Sequence, residues 1–313
     1  MKERITPYLQ KLIDGGSTAV RLQFKKPRVA PRSKFTDDPL GEESQYSPEK
    51  GIVHKFENRA LWKVSFRCAA HCRFCTRFRQ IGTPDGDLTN DDIERGAAYI
   101  REHPEIDDVI LSGGDPFFTP LTALRILGEL ETIESVKVIR IGTRLPIHAP
   151  DSFRRNVHVR EMLRRIRLLA KRREVYVLVN ISHPDELSRK VMSVLASLRR
   201  TGAHVVSQTV FLKGVNDDTE VLATLFNTLF HAGVRPYYIY RCDYVGGVER
   251  FICSFRKEQR IMTELRKRLS GLALPTYIID APGGRGKVPP PLGFWESVHG
   301  RTFLDFDGKQ IHR

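Results

Sequence analysis

The chain of 313 residues has no apolar run long enough to cross a bilayer, and its start, Met1-Lys2-Glu3-Arg4, lacks the apolar core of a secretory signal. A cytosolic location is therefore expected. Cysteine is scarce, with five residues of which three fall within one stretch of eight, so a disulfide framework is excluded. Cys242 and Cys253 stand apart as thiols that are either buried or paired. No internal repeat and no low-complexity segment is present. Acidic residues are outnumbered, 37 against 51 Lys and Arg, for a net charge of +14. Such an excess raises the question of a polyanionic partner. Much of it, however, is arginine on apparent helix faces, as at Arg160, Arg164, Arg165 and Arg167. No aromatic residues are interleaved to stack on bases, so a solvated surface is the better reading and nucleic acid is not expected. Apolar residues are plentiful at 41%, enough for a sizeable core.

The clustered thiols lie in Cys68-Ala69-Ala70-His71-Cys72-Arg73-Phe74-Cys75, after the apolar run from Ala60 to Phe66. Thiolates this close can face one soft metal centre without long loop closure. On an iron–sulfur cube, three thiolates leave one iron open to a reacting ligand. Alternatively, Cys68, His71, Cys72 and Cys75 could close a structural zinc site. Spacing favours iron–sulfur, because zinc sites draw on two ligand pairs and the chain has no second pair. Inert core cysteines fit poorly with the flanking Arg67, Arg73, Arg77 and Arg79.

Residues 1–52 carry no strong periodicity. A short helix could begin at Thr6-Pro7, and Pro27, Pro31, Pro39 and Pro48 among charged residues indicate an extended arm or lid. From Val53 onward, apolar strand-like runs alternate with amphipathic helical stretches, the βα rhythm of a parallel sheet. Strands are expected at Ala60–Phe66, Asp108–Ser112, Val136–Ile141, Val175–Ile181, Val205–Leu212 and Pro236–Tyr240. Six βα units make an α/β fold, a partial (β/α)6 TIM-like barrel. It would span 53–290, after the extension at 1–52 and before a short tail at 291–313. The strand ends carry the chemically pointed residues: the cysteines, Gly113-Gly114-Asp115, Thr143-Arg144, His183, Lys213-Gly214 and Cys242-Asp243. In a parallel barrel these ends share the face where ligands bind.

Cys-x3-Cys-x2-Cys after a strand resembles the radical S-adenosylmethionine enzymes. Gly113, Gly114 and Asp115, one βα unit later, match the element that holds the cofactor's methionyl amino group there. Longer stretches are similar to the lysine 2,3-aminomutase family: His54 to Leu61, Ser207 to Asp217, Arg235 to Asp243 and Pro275 to Lys287. The similarity runs from about Gly51 to Pro290.

The resemblance implies three cofactors: a 4Fe–4S cluster on Cys68, Cys72 and Cys75, S-adenosylmethionine on its open iron, and pyridoxal 5'-phosphate on Lys287. An amine must lose its proton before it can join that aldehyde, and Arg285 together with a partly desolvated pocket would favour the loss. The carry-over also assigns Lys55 and Arg59 to the phosphate, Gln208 to the adenosyl or cofactor pocket, and Phe74 to the adenine. Arg144 is either a partner for a cofactor carboxylate or a structural residue. For the substrate, Arg77 matches the grip on an α-carboxylate, while Asp243 and Asp280 match the pair that receives a distal ammonium. The activity implied is transfer of the α-amino group of a basic amino acid, lysine first, to its β-carbon. A flavodoxin- or ferredoxin-like electron donor would feed the cluster; a homo-oligomer stays open, since the tail through which longer family members assemble is short here. Two alternatives stay open: a radical enzyme that modifies RNA or a protein such as a translation factor, and a zinc-stabilised nucleic-acid binding module.

Overall fold

A computed structural model describes residues 2–27, 35–43, 45–293, 302–305 and 309–312. Pro31 of the arm and much of the tail, 294–301 included, lie outside the described residues. One nine-stranded sheet runs in chain order through β1 (Ile52–Phe56), β2 (Arg59–Ser65), β3 (Asp108–Gly113), β4 (Val138–Thr143), β5 (Glu174–Asn180), β6 (His204–Val210), β7 (Arg235–Tyr240), β8 (Thr276–Asp280) and β9 (Lys287–Val288). Strands β2 to β8 are parallel, and β1 and β9 are antiparallel edges.

Between successive parallel strands lie the helices Asn90–Glu102, Pro120–Thr132, Val157–Leu169, Arg189–Arg199, Thr219–His231 and Phe255–Arg268. The molecule is therefore the expected (β/α)6 partial barrel, followed by one further parallel strand. That strand, β8, was readable only as a stretch of family resemblance. Five residues rich in tyrosine and isoleucine pair with β7 at Tyr238↔Thr276 and Ile239↔Tyr277.

Period-two alternation decides what each strand offers to either face. Outward residues such as Trp62, Val109, Leu111, Ile139, Ile141, Val177 and Ile239 are fully buried beneath the helices. Inward residues such as Leu61, Ile110, Arg140, Asn180, Gln208 and Tyr240 line a cavity. At about 25 cal/mol per Å² of apolar area, the outer layer holds the sheet rigid, and the polar inner face is left for chemistry.

The arm forms the short helix expected from Thr6-Pro7 and a second, unexpected one just after it. Thr6 and Ser17 cap two short helices, Pro7–Asp14 and Thr18–Phe24, with Pro7 at the first helical position. Leu9, Val20 and Phe24 pack with Ala70, which sits inside the cysteine stretch. Residues 35–43 then cross the open end of the barrel, where Thr36 bridges Val245. Cys242 and Cys253 are both free and buried. Among the described residues no helix is long and apolar enough to cross a membrane.

Candidate active site

The cavity inside the strands measures about 360 Å³. Cys72 and Cys75, from the loop after β2, share its wall with Lys287, which begins β9 more than two hundred positions later. Phe74, Arg77, Arg144, Gln208, Asp243 and Asp280 stand on the same wall. Sequence-predicted residues therefore converge from both ends of the sheet. Cys68, Gly113, Gly114, Asp115, Lys55 and Arg59 lie off it.

The donor set fits an iron–sulfur cube better than a single ion. Among the described residues, no three His, Cys, Asp or Glu side chains come close enough to hold one metal ion, as a zinc site requires. A cube carries its irons at separate corners and takes thiolates that stand apart. His71 offers Nε2 alone, since its Nδ1 stands against the Lys2 carbonyl, and Nε2 is buried without a partner rather than grouped with the thiols. Burial raises all three thiol pKa values, that of Cys75 to about 11, so ionisation calls for a cationic partner such as iron.

The loops around the thiols interlock. Gly113 has φ +97°, and a Cβ on Gly114 would sit 2.4 Å from the Arg67 carbonyl oxygen, one residue before Cys68. Gly114→Ala is expected to cost about 2–3 kcal/mol and to loosen the cysteine loop, measured as a lower denaturant midpoint and less bound iron. The Asp115 carboxylate turns away from the cavity. It accepts from Phe117 N, Thr143 Oγ1 and Arg144 N, tying the end of β3 to the end of β4. The Asp115 carboxylate thus serves as a buttress, and Ser112 is the residue of that strand end on the wall.

Arg144 is engaged through both terminal nitrogens, while its Nε is buried without a partner. Its Nη1 donates to Cys72 Sγ at 2.8 Å, and its Nη2 donates to Gln23 Oε1 and Glu186 Oε1. Gln23 comes from the arm, so the N-terminal helices reach the cluster loop through a buried polar chain. Phe74 packs beneath the Arg144 guanidinium, 5.0 Å from its ring centre, and edge-on to Phe251.

The other end of the cavity is a field of paired charges. Lys287 Nζ donates to both oxygens of Asp280 at 2.6 and 2.7 Å. Lys287 is partly covered, its side chain 36% exposed, and its ion-pair partner is Asp280; Arg285, expected beside it, faces solvent instead. The β8–β9 pairing, with Asp280 opposite Lys287, produces this arrangement. Burial pushes the Asp243 carboxyl up to about 7, with further help from the Asp280 charge. Arg77 donates from Nε and Nη2 to Glu42 at 2.7 and 2.6 Å, so its fork already grips a carboxylate supplied by the arm. Lys55 lies just behind this end, close to Gly284, and burial lowers its pKa against the pull of Asp280. Arg59, the first residue of β2, stacks on Phe56 at the far end of the strands.

Three contributors had not been singled out in the sequence. Arg140 reaches the wall, where its Nε donates to Asp108 at 2.8 Å. The signal was legible, a charge at the inward position of an apolar strand. Glu42 and His148 had no such signal, since neither belongs to a periodic segment.

Known proteins bear on this geometry. The model of the radical SAM superfamily matches residues 62–226. The chain is 36% identical over 260 residues to an L-lysine 2,3-aminomutase of Escherichia coli, covering 82% of this chain and 73% of that one. It is 34% identical over 294 residues to the L-lysine 2,3-aminomutase of Clostridium subterminale, covering 92% and 68%. For that of Fusobacterium nucleatum the identity is 33% over 315 residues, covering 98% and 72%. Among solved structures it is similar in fold to Streptococcus suis SuiB bound to S-adenosylmethionine, with TM-score 0.52, 13% identity, and coverage of 74% of this chain and 52% of that one. A radical SAM methyltransferase from Sphaerobacter thermophilus gives TM-score 0.51, 18% identity, and coverage of 75% and 69%. With the expected barrel, the thiol loop at its mouth and relatives of this extent, the chain belongs to the lysine 2,3-aminomutase family of radical SAM enzymes, isomerases whose cofactors are a 4Fe–4S cluster, S-adenosylmethionine and pyridoxal phosphate.

Proposed function

We propose that the chain is a pyridoxal-phosphate-dependent 2,3-aminomutase acting on a basic amino acid, with L-lysine the first candidate. The observation that carries this reading is the meeting of Cys72, Cys75 and Lys287 on one cavity wall with Arg77, Asp243 and Asp280. When bound, the cluster with S-adenosylmethionine supplies a radical that opens the Cβ–H bond, and pyridoxal phosphate carries the migrating nitrogen.

The chain's own residues would hold these groups. Cys68, Cys72 and Cys75 ligate the cluster, and Lys287 carries the pyridoxal aldehyde. Arg140 on the wall and Lys55 just behind it offer cations for a phosphate, with Arg59 farther off at the start of β2. Gln208, whose Nε2 donates to the Tyr240 hydroxyl at 3.1 Å, fixes one side of the cofactor space.

Two internal ion pairs support a zwitterionic substrate with a cationic tail. Glu42 brings a carboxylate to Arg77, and Lys287 brings an ammonium to Asp280. A lysine molecule offers the same two charges. On this reading its carboxylate displaces Glu42 from the fork, and its ammonium takes over Asp280 once Lys287 has turned to the cofactor. Reduction of the cluster calls for a one-electron carrier of the flavodoxin or ferredoxin kind.

The test is reconstitution without oxygen. Iron, sulfide, S-adenosylmethionine, pyridoxal phosphate and a strong reductant are supplied with each basic amino acid labelled at the α-nitrogen, and products are read by mass spectrometry. A β-amino isomer that retains the label is expected. A loaded enzyme that leaves every basic amino acid unchanged, yet forms 5'-deoxyadenosine with an RNA or a protein, would point to a modifying enzyme instead.

A further inference from the structure

His148 ends the short helix Leu145–His148 that follows β4, and it is 2% exposed. Its Nε2 stands 3.6 Å from Cys72 Sγ, while its Nδ1 is buried with no hydrogen-bond partner. The ring is held from the arm. Thr6 donates its hydroxyl to the His148 carbonyl, and Phe24 meets the imidazole edge-on at 5.4 Å.

This geometry assigns the tautomer. A buried N–H without a partner is costlier than a buried lone pair without one, so the proton belongs on Nε2, facing sulfur. Arg144 Nη1 approaches the same sulfur from 2.8 Å, so two N–H donors converge on Cys72. Neither His148 nor Arg144 belongs to the thiol loop. Both are carried to it by the end of β4, which Asp115 locks to the neighbouring strand through Arg144 N.

Donors aimed at a cluster thiolate withdraw charge from it, and they stabilise the reduced, more negative cluster over the oxidised one. We propose that His148 is a positioning residue for the iron–sulfur cluster, raising its reduction potential by donating Nε2–H to the Cys72 thiolate in concert with Arg144. The proposal rests on the reading that Cys72 ligates the cluster. It makes the arm part of the redox apparatus, because Thr6 holds the His148 backbone and Phe24 holds the imidazole.

The experiment compares reconstituted wild type with His148→Phe and His148→Gln. Each is titrated against solution potential with the reduced cluster followed by electron paramagnetic resonance, and iron and sulfide are counted in parallel. Phenylalanine keeps the ring and its contact with Phe24 but has no donor, whereas glutamine restores an N–H. The expected result is equal iron content, a midpoint shifted to more negative potential in His148→Phe, and a return toward wild type in His148→Gln. If the phenylalanine ring prevents cluster loading, His148→Leu carries the same comparison. A loaded, donor-free variant with the wild-type midpoint overturns the inference and leaves the function reading intact. A wild type that binds no iron and sulfide overturns the reading itself.

Discussion

Replacing Lys287 with alanine is expected to abolish amino-group migration entirely while leaving the iron and sulfide content at the wild-type level. The two losses separate because Lys287 belongs to β9 and the thiols to the loop after β2, with nothing but the cavity between them. Lys287 also has a structural duty, since its ammonium neutralises Asp280, a carboxylate only 11% exposed. Removing it leaves that charge without its partner. The lysine itself is more than a third exposed, so solvent softens the penalty to about 1–2 kcal/mol rather than the larger cost of breaking a fully buried pair. Lys287→Arg distinguishes the two duties. A guanidinium can keep the ion pair and with it the stability, but it cannot condense with an aldehyde. Both variants should fail to retain pyridoxal phosphate after borohydride reduction, read as the absence of a mass adduct on the peptide containing residue 287, and only the alanine variant should melt early. Turnover by the arginine variant at the wild-type rate would remove Lys287 from the chemistry.

The parts of the molecule legible in advance are those written in a period. Alternating apolar residues marked β2 to β7, because a strand buried by helices on one face and lining a cavity on the other must alternate. The ends of those strands then fall on one rim, which is why Cys75 and Asp243, far apart in sequence, meet there. Glu42 illustrates what has no such signature. It reaches Arg77 from an irregular segment held by turns, in which nothing records the direction of a side chain. Asp115 shows the opposite limit. Its presence after the glycines was readable, but that its carboxylate would turn away from the cavity to three donors depended on how close β4 lies. The first N-terminal helix was legible from Thr6-Pro7, and the second could have been read from Ser17, the same cap chemistry, had the prolines that follow not drawn the reading toward an extended arm.

Binding of a cationic amino acid is expected to tighten with rising pH up to about 7 and then level off, and Asp243→Asn should erase that dependence. Burial, followed by repulsion from Asp280, raises the Asp243 carboxyl to about 7. An unfolded aspartate titrates near 3.9. The folded value is the higher one, so this residue's contribution to stability is fully present below about pH 4 and is lost as pH rises through about 7. By neutral pH the ligand-free protein carries a penalty on the order of 3 kcal/mol for charging Asp243. An ammonium placed between Asp243 and Asp280 relieves that penalty, because it supplies the counter-charge the buried carboxylate lacks. Below pH 7 the ligand must first draw a proton off Asp243, costing up to tenfold in affinity per pH unit. Calorimetry in buffers of differing ionisation enthalpy should therefore detect proton release when L-lysine binds the cofactor-loaded protein at pH 6, and none at pH 8.5. Asp243→Asn should bind lysine on the order of 10²-fold more weakly at pH 8, the usual cost of truncating one partner of a desolvated charge pair. The same variant, free of ligand, should unfold at higher denaturant than wild type at pH 8 but not at pH 4. Stability and affinity would thus move in opposite directions on one substitution. A variant that loses stability together with affinity would show that Asp243 is an ordinary structural carboxylate and that the cation is received elsewhere.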